Sequence, residues 1–131
     1  RISQLAGQIV RARAELTNHL AAKLPPLYKE PAGTDAKISL VYGAPWPVGS
    51  YESHLLKKLA VNIALDHARG FTGSGTHRED LQLFFGPHPV QQVASRGELR
   101  TLVLGLKILE LQLLTDVRGT PPLLLLDDVF S

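Results

Sequence analysis

The chain contains no cysteine, which excludes disulfides and thiolate metal sites within it. It contains no methionine. It also opens at Arg1 inside an amphipathic pattern and stops at Ser131, just after an apolar run and two acids. The expectation is an internal piece of a longer protein. No apolar run reaches the roughly eighteen residues of a membrane span, and no signal peptide is visible. Aromatic residues are only 6% of the sequence, so Tyr42, Trp46 and Tyr51 stand out. Such rings stack on nucleic-acid bases, although a sparse set more often serves core or loop packing.

What is present suits one small domain: 131 residues, 44% of them hydrophobic, enough to bury a core. The formal net charge is only +2, but it is unevenly placed. Arg1, Arg11, Arg13, Lys23 and Lys29 face only Glu15 and Glu30 in the first thirty residues, while the last third is mildly acidic. A basic arm beside an acidic region suits contact with a phosphate backbone, and Arg11 and Arg13 are the candidate DNA contacts. A solvated helix face gives the same pattern.

Ile2, Leu5, Ile9, Leu16, Leu20 and Leu24 recur at helical spacing. Pro25-Pro26 is expected to stop that helix, because proline lacks the amide donor and restricts the residue before it. Lys37 to Tyr42 reads as a short strand. Ser50 is a plausible N-cap for a second helix from Tyr51 to about Arg69, with Tyr51, Leu55, Leu59 and Ile63 as its stripe and Gly70 as its stop. A Gly-rich junction follows over 71–80. Leu81 to Phe85 reads as a strand, and the turn Gly86-Pro87-His88-Pro89 leads to another at Val90 to Val93. Gly97 to Leu114 is a helix apolar almost all round, expected to be buried in a larger body. The composition shift near residue 72 marks a boundary.

Two constellations carry chemistry. Leu123 to Leu126 is a continuous apolar run ending in Asp127-Asp128, the look of a central parallel strand with acids at its C-terminal end, where ligands bind in open α/β sheets. In nucleotide-hydrolysing folds this is the Walker B arrangement: the first acid, Asp127, holds magnesium and the second, Asp128, accepts a proton from the attacking water. A buried strand ending in acids is as often merely structural. The second is Ser95-Arg96-Gly97-Glu98 at the start of the apolar helix, where a hydroxyl and unpaired amides beside the positive dipole end make an anion site. An ordinary serine N-cap is the commoner meaning of such a segment alone. Its place about thirty residues before an acid-tipped run shifts that balance. His77, Arg78 and Asp80 suggest a metal site less strongly than a junction held by an Arg78–acid pair and histidine hydrogen bonds.

Ser95-Arg96-Gly97-Glu98 resembles the signature motif of ABC-type ATPases. With Arg100-Thr101-Leu102, the run from Pro121 to Ser131, and Gly75-Thr76-His77-Arg78-Glu79-Asp80-Leu81, the chain resembles the RecF family. It departs from the family pattern at Thr76, where proline is usual, at Glu79, where aspartate is usual, and at Glu98 or Leu99, where glutamine is frequent. The resemblance implies an α/β fold: a fragment of an ABC-type ATPase head (signature helix plus Walker B strand, residues 73–131) with a helical arm subdomain (residues 1–72). It implies ATP and Mg as cofactors, an ATP-dependent homodimer, and weak DNA-dependent ATPase activity in the full-length protein. It further implies action at DNA gaps with RecR and RecO in loading RecA, a cytoplasmic setting and no membrane contact. Ser95, Arg96, Gly97 and Glu98 would meet the γ-phosphate of ATP held by the other subunit. Asp127 would serve magnesium and Asp128 the water. The rival reading is a non-catalytic scaffold or DNA-clamp fragment whose acids and serine only cap structure.

No G-x-x-x-x-G-K-[ST] phosphate loop occurs in the sequence. The stretch from Gly43 to Ser50 has two prolines and no lysine, so its amides do not make a phosphate cradle. The chain by itself is therefore expected neither to bind ATP tightly nor to hydrolyse it. Calorimetry giving micromolar ATP affinity for the 131-residue chain would overturn this assignment of the parts.

Overall fold

The computed structural model describes residues 1–33 and 37–127. In chain order it has α1 (Ile2–Ala32), β1 (Ile38–Tyr42), α2 (Tyr51–Arg69), β2 (Leu81–Phe85), β3 (His88–Pro89), the single turn α3 (Val90–Val93) and α4 (Arg96–Arg118). Short 3-10 turns lie at Val48–Ser50 and Thr76–Arg78. The strands form one sheet in the order β1-β2-β3. β2 and β3 are antiparallel, with Phe84 opposite Pro89 and Phe85 opposite His88. The Gly43 amide donates to the Asp80 carbonyl and the Gly86 amide to the Lys37 carbonyl, a pairing that also runs antiparallel. The chain divides into two compact units, Arg1–Asn18 with Val41–Gln82, and His19–Leu40 with Leu83–Ser131. Each is discontinuous in sequence, and the composition shift near residue 72 falls inside the first.

α1 does not stop at Pro25-Pro26; it runs on to Ala32 and ends where Gly33 turns left-handed, its amide on the Lys29 carbonyl. The prolines leave the carbonyls of Ala21 and Ala22 without helical donors, a defect worth about 3 kcal/mol or more in a helix interior. Packing offsets it. Leu24 and Tyr28, one turn apart on the same face, are 0% and 1% exposed, and burying such side chains contributes about 1.5–3 kcal/mol each. Tyr28 lies against Phe85, ring centroids 5.8 Å apart. Leu24 reaches α4 at Gly105, where an added Cβ would stand 3.0 Å from its methyl. Tertiary contact thus overrides the local stop signal.

The buried face of α1 also differs from its most visible stripe. Ser3, Ala6, Val10, Thr17, Leu24 and Tyr28 are buried, whereas Ile2, Leu5, Ile9 and Leu16 are 41% to 72% exposed. Small residues win because α1 and α2 approach closely: a Cβ on Gly7 would stand 2.3 Å from Cγ of Glu52. The core of the first unit is Ala6, Val10, Tyr51 and Leu55, with Tyr42, Ala44, Trp46, Val48 and Leu59 packed around it. α2 begins after Ser50 and ends at left-handed Gly70, as its sequence predicts. The Ser50 hydroxyl does not cap the helix but donates to the Pro47 carbonyl. Only the first half of the expected stripe is buried; Ile63 is exposed.

In the second unit, the strand expected over Val90 to Val93 is a helical turn. The hairpin ends after two pairs, and Val90 is buried from a helical position instead. α4 buries Leu102, Gly105 and Leu109 and leaves Val103 and Val117 exposed, so it is one-sided rather than buried all round. Leu123 to Leu126 is not a strand: residues 121–127 have no regular structure, and Leu123 and Leu125 are exposed. A central strand needs hydrogen-bonding neighbours on both edges, and the described sheet consists of β1, β2 and β3 alone. No helix among the described residues is long and apolar enough to cross a membrane.

The register of α1 is open to test by urea unfolding. Leu24→Ala should destabilise the chain by about 2–5 kcal/mol, the cost of emptying a buried leucine site, whereas Leu16→Ala should cost less than about 1 kcal/mol. Equal losses would mean that the helix buries the other stripe.

Candidate functional site

The N-terminus of α4 is closed by a capping box. The Glu98 amide donates to Ser95 Oγ at 3.3 Å, and both the Ser95 amide and the Ser95 hydroxyl donate to the Glu98 carboxylate at 2.7 Å. An amide and a hydroxyl converging on one carboxylate oxygen at a helix start are a donor set for an anion, and here Glu98 supplies that anion itself. The Ser95 hydroxyl, followed by its amide, holds the Glu98 carboxyl below its ordinary pKa. Tyr28 senses the same charge: burial first, then Glu98, raises its phenol above the usual value. Its hydroxyl has no hydrogen-bond partner among the described residues. Arg96 and Gly97 are exposed in the first turn of α4, so the four signature residues stand together at one helix end.

Asp127 is exposed at the end of the irregular segment. With Leu126 it lines a cavity of about 300 Å³ shared with Leu99, Arg100, Val103 and Lys107 of α4. Asp128 lies outside the described residues. The described residues include no group of three or more His, Asp or Glu side chains that could hold a metal ion. Asp127 offers a carboxylate, but the other charged residues of its cavity are cations. These residues alone do not fit a magnesium ion.

The two candidate DNA-contact arginines both bond within the first unit. Arg11 pairs with Glu52 at 3.0 Å, and Arg13 donates to the Thr76 carbonyl at 2.6 Å and to the Tyr42 hydroxyl at 3.3 Å. Tyr42 and Tyr51 in turn donate their hydroxyls to the two carboxylate oxygens of Glu79. Burial first, then the Glu79 bond, raises both phenols above their usual pKa. The expected Arg78–acid pair is not formed among the described residues; the Arg78 guanidinium lies 5.1 Å from the centre of the Phe71 ring. The His77 ring meets the Thr72 carbonyl at 3.1 Å, and Asp80 takes the Leu81 amide, so His77 and Asp80 serve the junction itself. Sequence reasoning missed the knot around Glu79, because its members are far apart in the chain.

No family model matches the chain. It is 38% identical over 132 residues to the DNA replication and repair protein RecF of Anaeromyxobacter sp. (strain Fw109-5), covering 95% of this chain and 36% of that protein. It is 30% identical over 135 residues to the DNA replication and repair protein RecF of Microcystis aeruginosa, covering 99% of this chain and 36% of that protein. A solved structure of the recombination mediator protein RecF with ATP, in the RecFOR pathway, superimposes with a TM-score of 0.81 at 26% identity, covering 97% of this chain and 35% of that one.

The chain belongs to the RecF family. It spans about a third of the length of the curated relatives it matches. The superposition also supports the α/β class, here as helices with a small antiparallel sheet.

In this RecF-family chain the state of the α4 cap follows the Glu98 proton. A carboxyl whose folded pKa is lowered contributes stability above its unfolded pKa and loses it as pH falls through the folded value. An NMR titration should therefore show the Glu98 carboxyl, and the Glu98 amide shift with it, turning over below the ordinary glutamate range. The amide shift should become insensitive to acid in Glu98→Gln. A Glu98 midpoint at or above that range would mean that the box is not formed in solution.

Proposed function

We propose that the chain is part of a RecF-type, ATP-dependent DNA-binding protein of recombinational repair. In this reading residues 73–131 belong to an ABC-type ATPase head and residues 1–72 to a helical arm. The protein dimerises on ATP, hydrolyses it weakly with DNA bound, and acts at DNA gaps with RecR and RecO in helping RecA load. The observation that carries the reading is the α4 N-terminus: the Ser95 amide and hydroxyl already converge on a carboxylate, the arrangement that a phosphate oxygen needs.

When bound, ATP would supply the phosphoryl group for hydrolysis, and magnesium would offset its charge. The residues of this chain act around it. Ser95 and the first-turn amide of Gly97 bind an incoming anion as Glu98 gives up its place, and Arg96 adds positive charge on the exposed side. Asp127 would lend one carboxylate to a magnesium ion whose remaining ligands the described residues do not supply. Asp128 is the assigned acceptor for the proton of the attacking water. On the arm, Arg11 keeps 49% of its side-chain surface exposed while paired with Glu52. With Arg13 it remains the assigned contact to the DNA backbone. The rival scaffold reading draws on the same box: with Ser95 and Glu98 bonded to each other, the segment is complete as a cap.

A subunit-mixing experiment on the full-length protein separates the two. Ser95→Arg should leave ATP binding by the monomer near normal but lower hydrolysis by ~10²–10³-fold, the worth of a removed transition-state donor. Mixed with Asp127→Asn, itself inactive, it should regain activity, because one site of the heterodimer then carries neither defect. Absence of turnover in the unmodified protein favours the scaffold, and unchanged turnover in Ser95→Arg removes the serine from the site. Loss of ATP binding by the Ser95→Arg monomer would show that the serine acts within its own subunit.

A further inference from the structure

The first unit contains a second polar cavity that neither the signature segment nor the acids use. It measures about 400 Å³ and lies between the β1–α2 loop and the Gly-rich junction, lined among others by Trp46, Lys58, Gly73, Ser74, Arg78 and Glu79. Lys58 comes from the exposed side of α2 and Arg78 from the turn after the glycines. Neither has a salt bridge among the described residues. The acid of the cavity, Glu79, is engaged elsewhere, with one tyrosine hydroxyl on each carboxylate oxygen. Two cations therefore share the cavity with a single carboxylate, which leaves its lining net positive.

The aromatic wall is fixed in place. Trp46 is half-buried; it stacks on His54 with ring centroids 5.9 Å apart and planes 17° from parallel, and meets Tyr51 edge-on at 5.4 Å. An indole held on one side by such contacts costs little further ordering when a flat ring comes against its cavity-facing surface. On the other wall, Gly73 is tethered by its amide to Asp66 at 3.0 Å, and Gly75 sits at φ 142, a conformation that favours glycine. This keeps the junction backbone open beside the cations. Positive charge next to a stacking platform is the pattern that binds nucleotide units without reading their sequence.

We propose that this cavity binds one nucleotide unit of a nucleic-acid strand, the phosphate on Lys58 and Arg78 and the base against Trp46. The inference rests on the DNA-binding reading above and names where on the first unit the strand is held. A free nucleotide offers the same chemistry as a strand, so both are used as probes.

Trp46 is the sole tryptophan, and its emission reports the cavity directly. The full chain is titrated with thymidine monophosphate and with a short oligothymidylate, and oligothymidylate affinity is also measured by anisotropy of a labelled strand at several salt concentrations. The oligothymidylate should change Trp46 emission saturably. Lys58→Glu with Arg78→Glu should weaken binding at least about tenfold and lower the log–log salt slope by ~1.4, about 0.7 for each lost single-strand phosphate contact. Lys58→Gln, a change on an exposed helix face, should give about half that loss of slope with an unchanged helical circular dichroism spectrum. A response to the mononucleotide of equal strength identifies a free nucleotide as the ligand, and a response to the oligonucleotide alone identifies a strand. If the charge-reversed chain binds the strand with unchanged affinity and slope, the cavity assignment is overturned while DNA binding by the protein stands. If neither probe alters Trp46 emission, the cavity assignment is overturned too, and the DNA-binding reading is then judged on anisotropy alone.

Discussion

The first unit depends on where Glu79 puts its carboxylate. Both of its oxygens are hydrogen-bonded, one by Tyr42 at the end of β1 and one by Tyr51 at the start of α2. Arg13 of α1 joins the group through the Tyr42 hydroxyl and the Thr76 carbonyl. A partly buried carboxylate is costly to desolvate unless its acceptors are filled, so the arrangement is close to all or nothing. With it in place, α1, β1, α2 and the Gly-rich junction are tied at one point. The neighbouring cations Lys58 and Arg78 outnumber the Glu79 charge and form no salt bridge among the described residues. The RecF pattern usually has the shorter aspartate at this position. The extra methylene of Glu79 lengthens its reach toward two phenols at once.

The second unit shows the same economy at the α4 N-terminus. One donor set caps the helix through Glu98, and in the proposed reading the same donors would hold an outside anion. In that reading the two states compete for Ser95, and the strength of the cap sets how readily an anion enters. That links helix stability to ligand occupancy without any movement of the helix body.

Elements with local punctuation were legible in the sequence. α2 lies between Ser50 and Gly70, β2 between the glycine junction and Gly86, and α4 between Ser95 and Gly119. Where structure and sequence part, a non-local contact decides. Pro25-Pro26 fails to stop α1 because Leu24 and Tyr28 find partners at Gly105 and Phe85. Val90 is buried from a helical turn rather than from a third strand pair. Leu123 to Leu126 has the composition of a strand but, among the described residues, no strand to pair with. The candidate site was half visible. Ser95 to Glu98 is contiguous and reads directly from the sequence, whereas the Glu79 knot draws on residues up to 66 positions apart (79 − 13), and no local pattern marks it.

The discontinuity of both units has a consequence for how the chain is made. Leu24 must wait for Gly105, roughly eighty residues later, which at ribosomal speeds of ~5–20 residues per second is an interval of roughly 4–16 s. Through that interval the second half of α1, already weakened by two missing amide donors, lacks its contact with α4, although Phe85 emerges earlier to meet Tyr28. The first unit closes sooner, once Glu79 has emerged to meet Tyr42 and Tyr51. The half of α1 that carries Ala6 and Val10 is therefore the one able to be ordered first, and the helix is completed across its prolines only when α4 arrives.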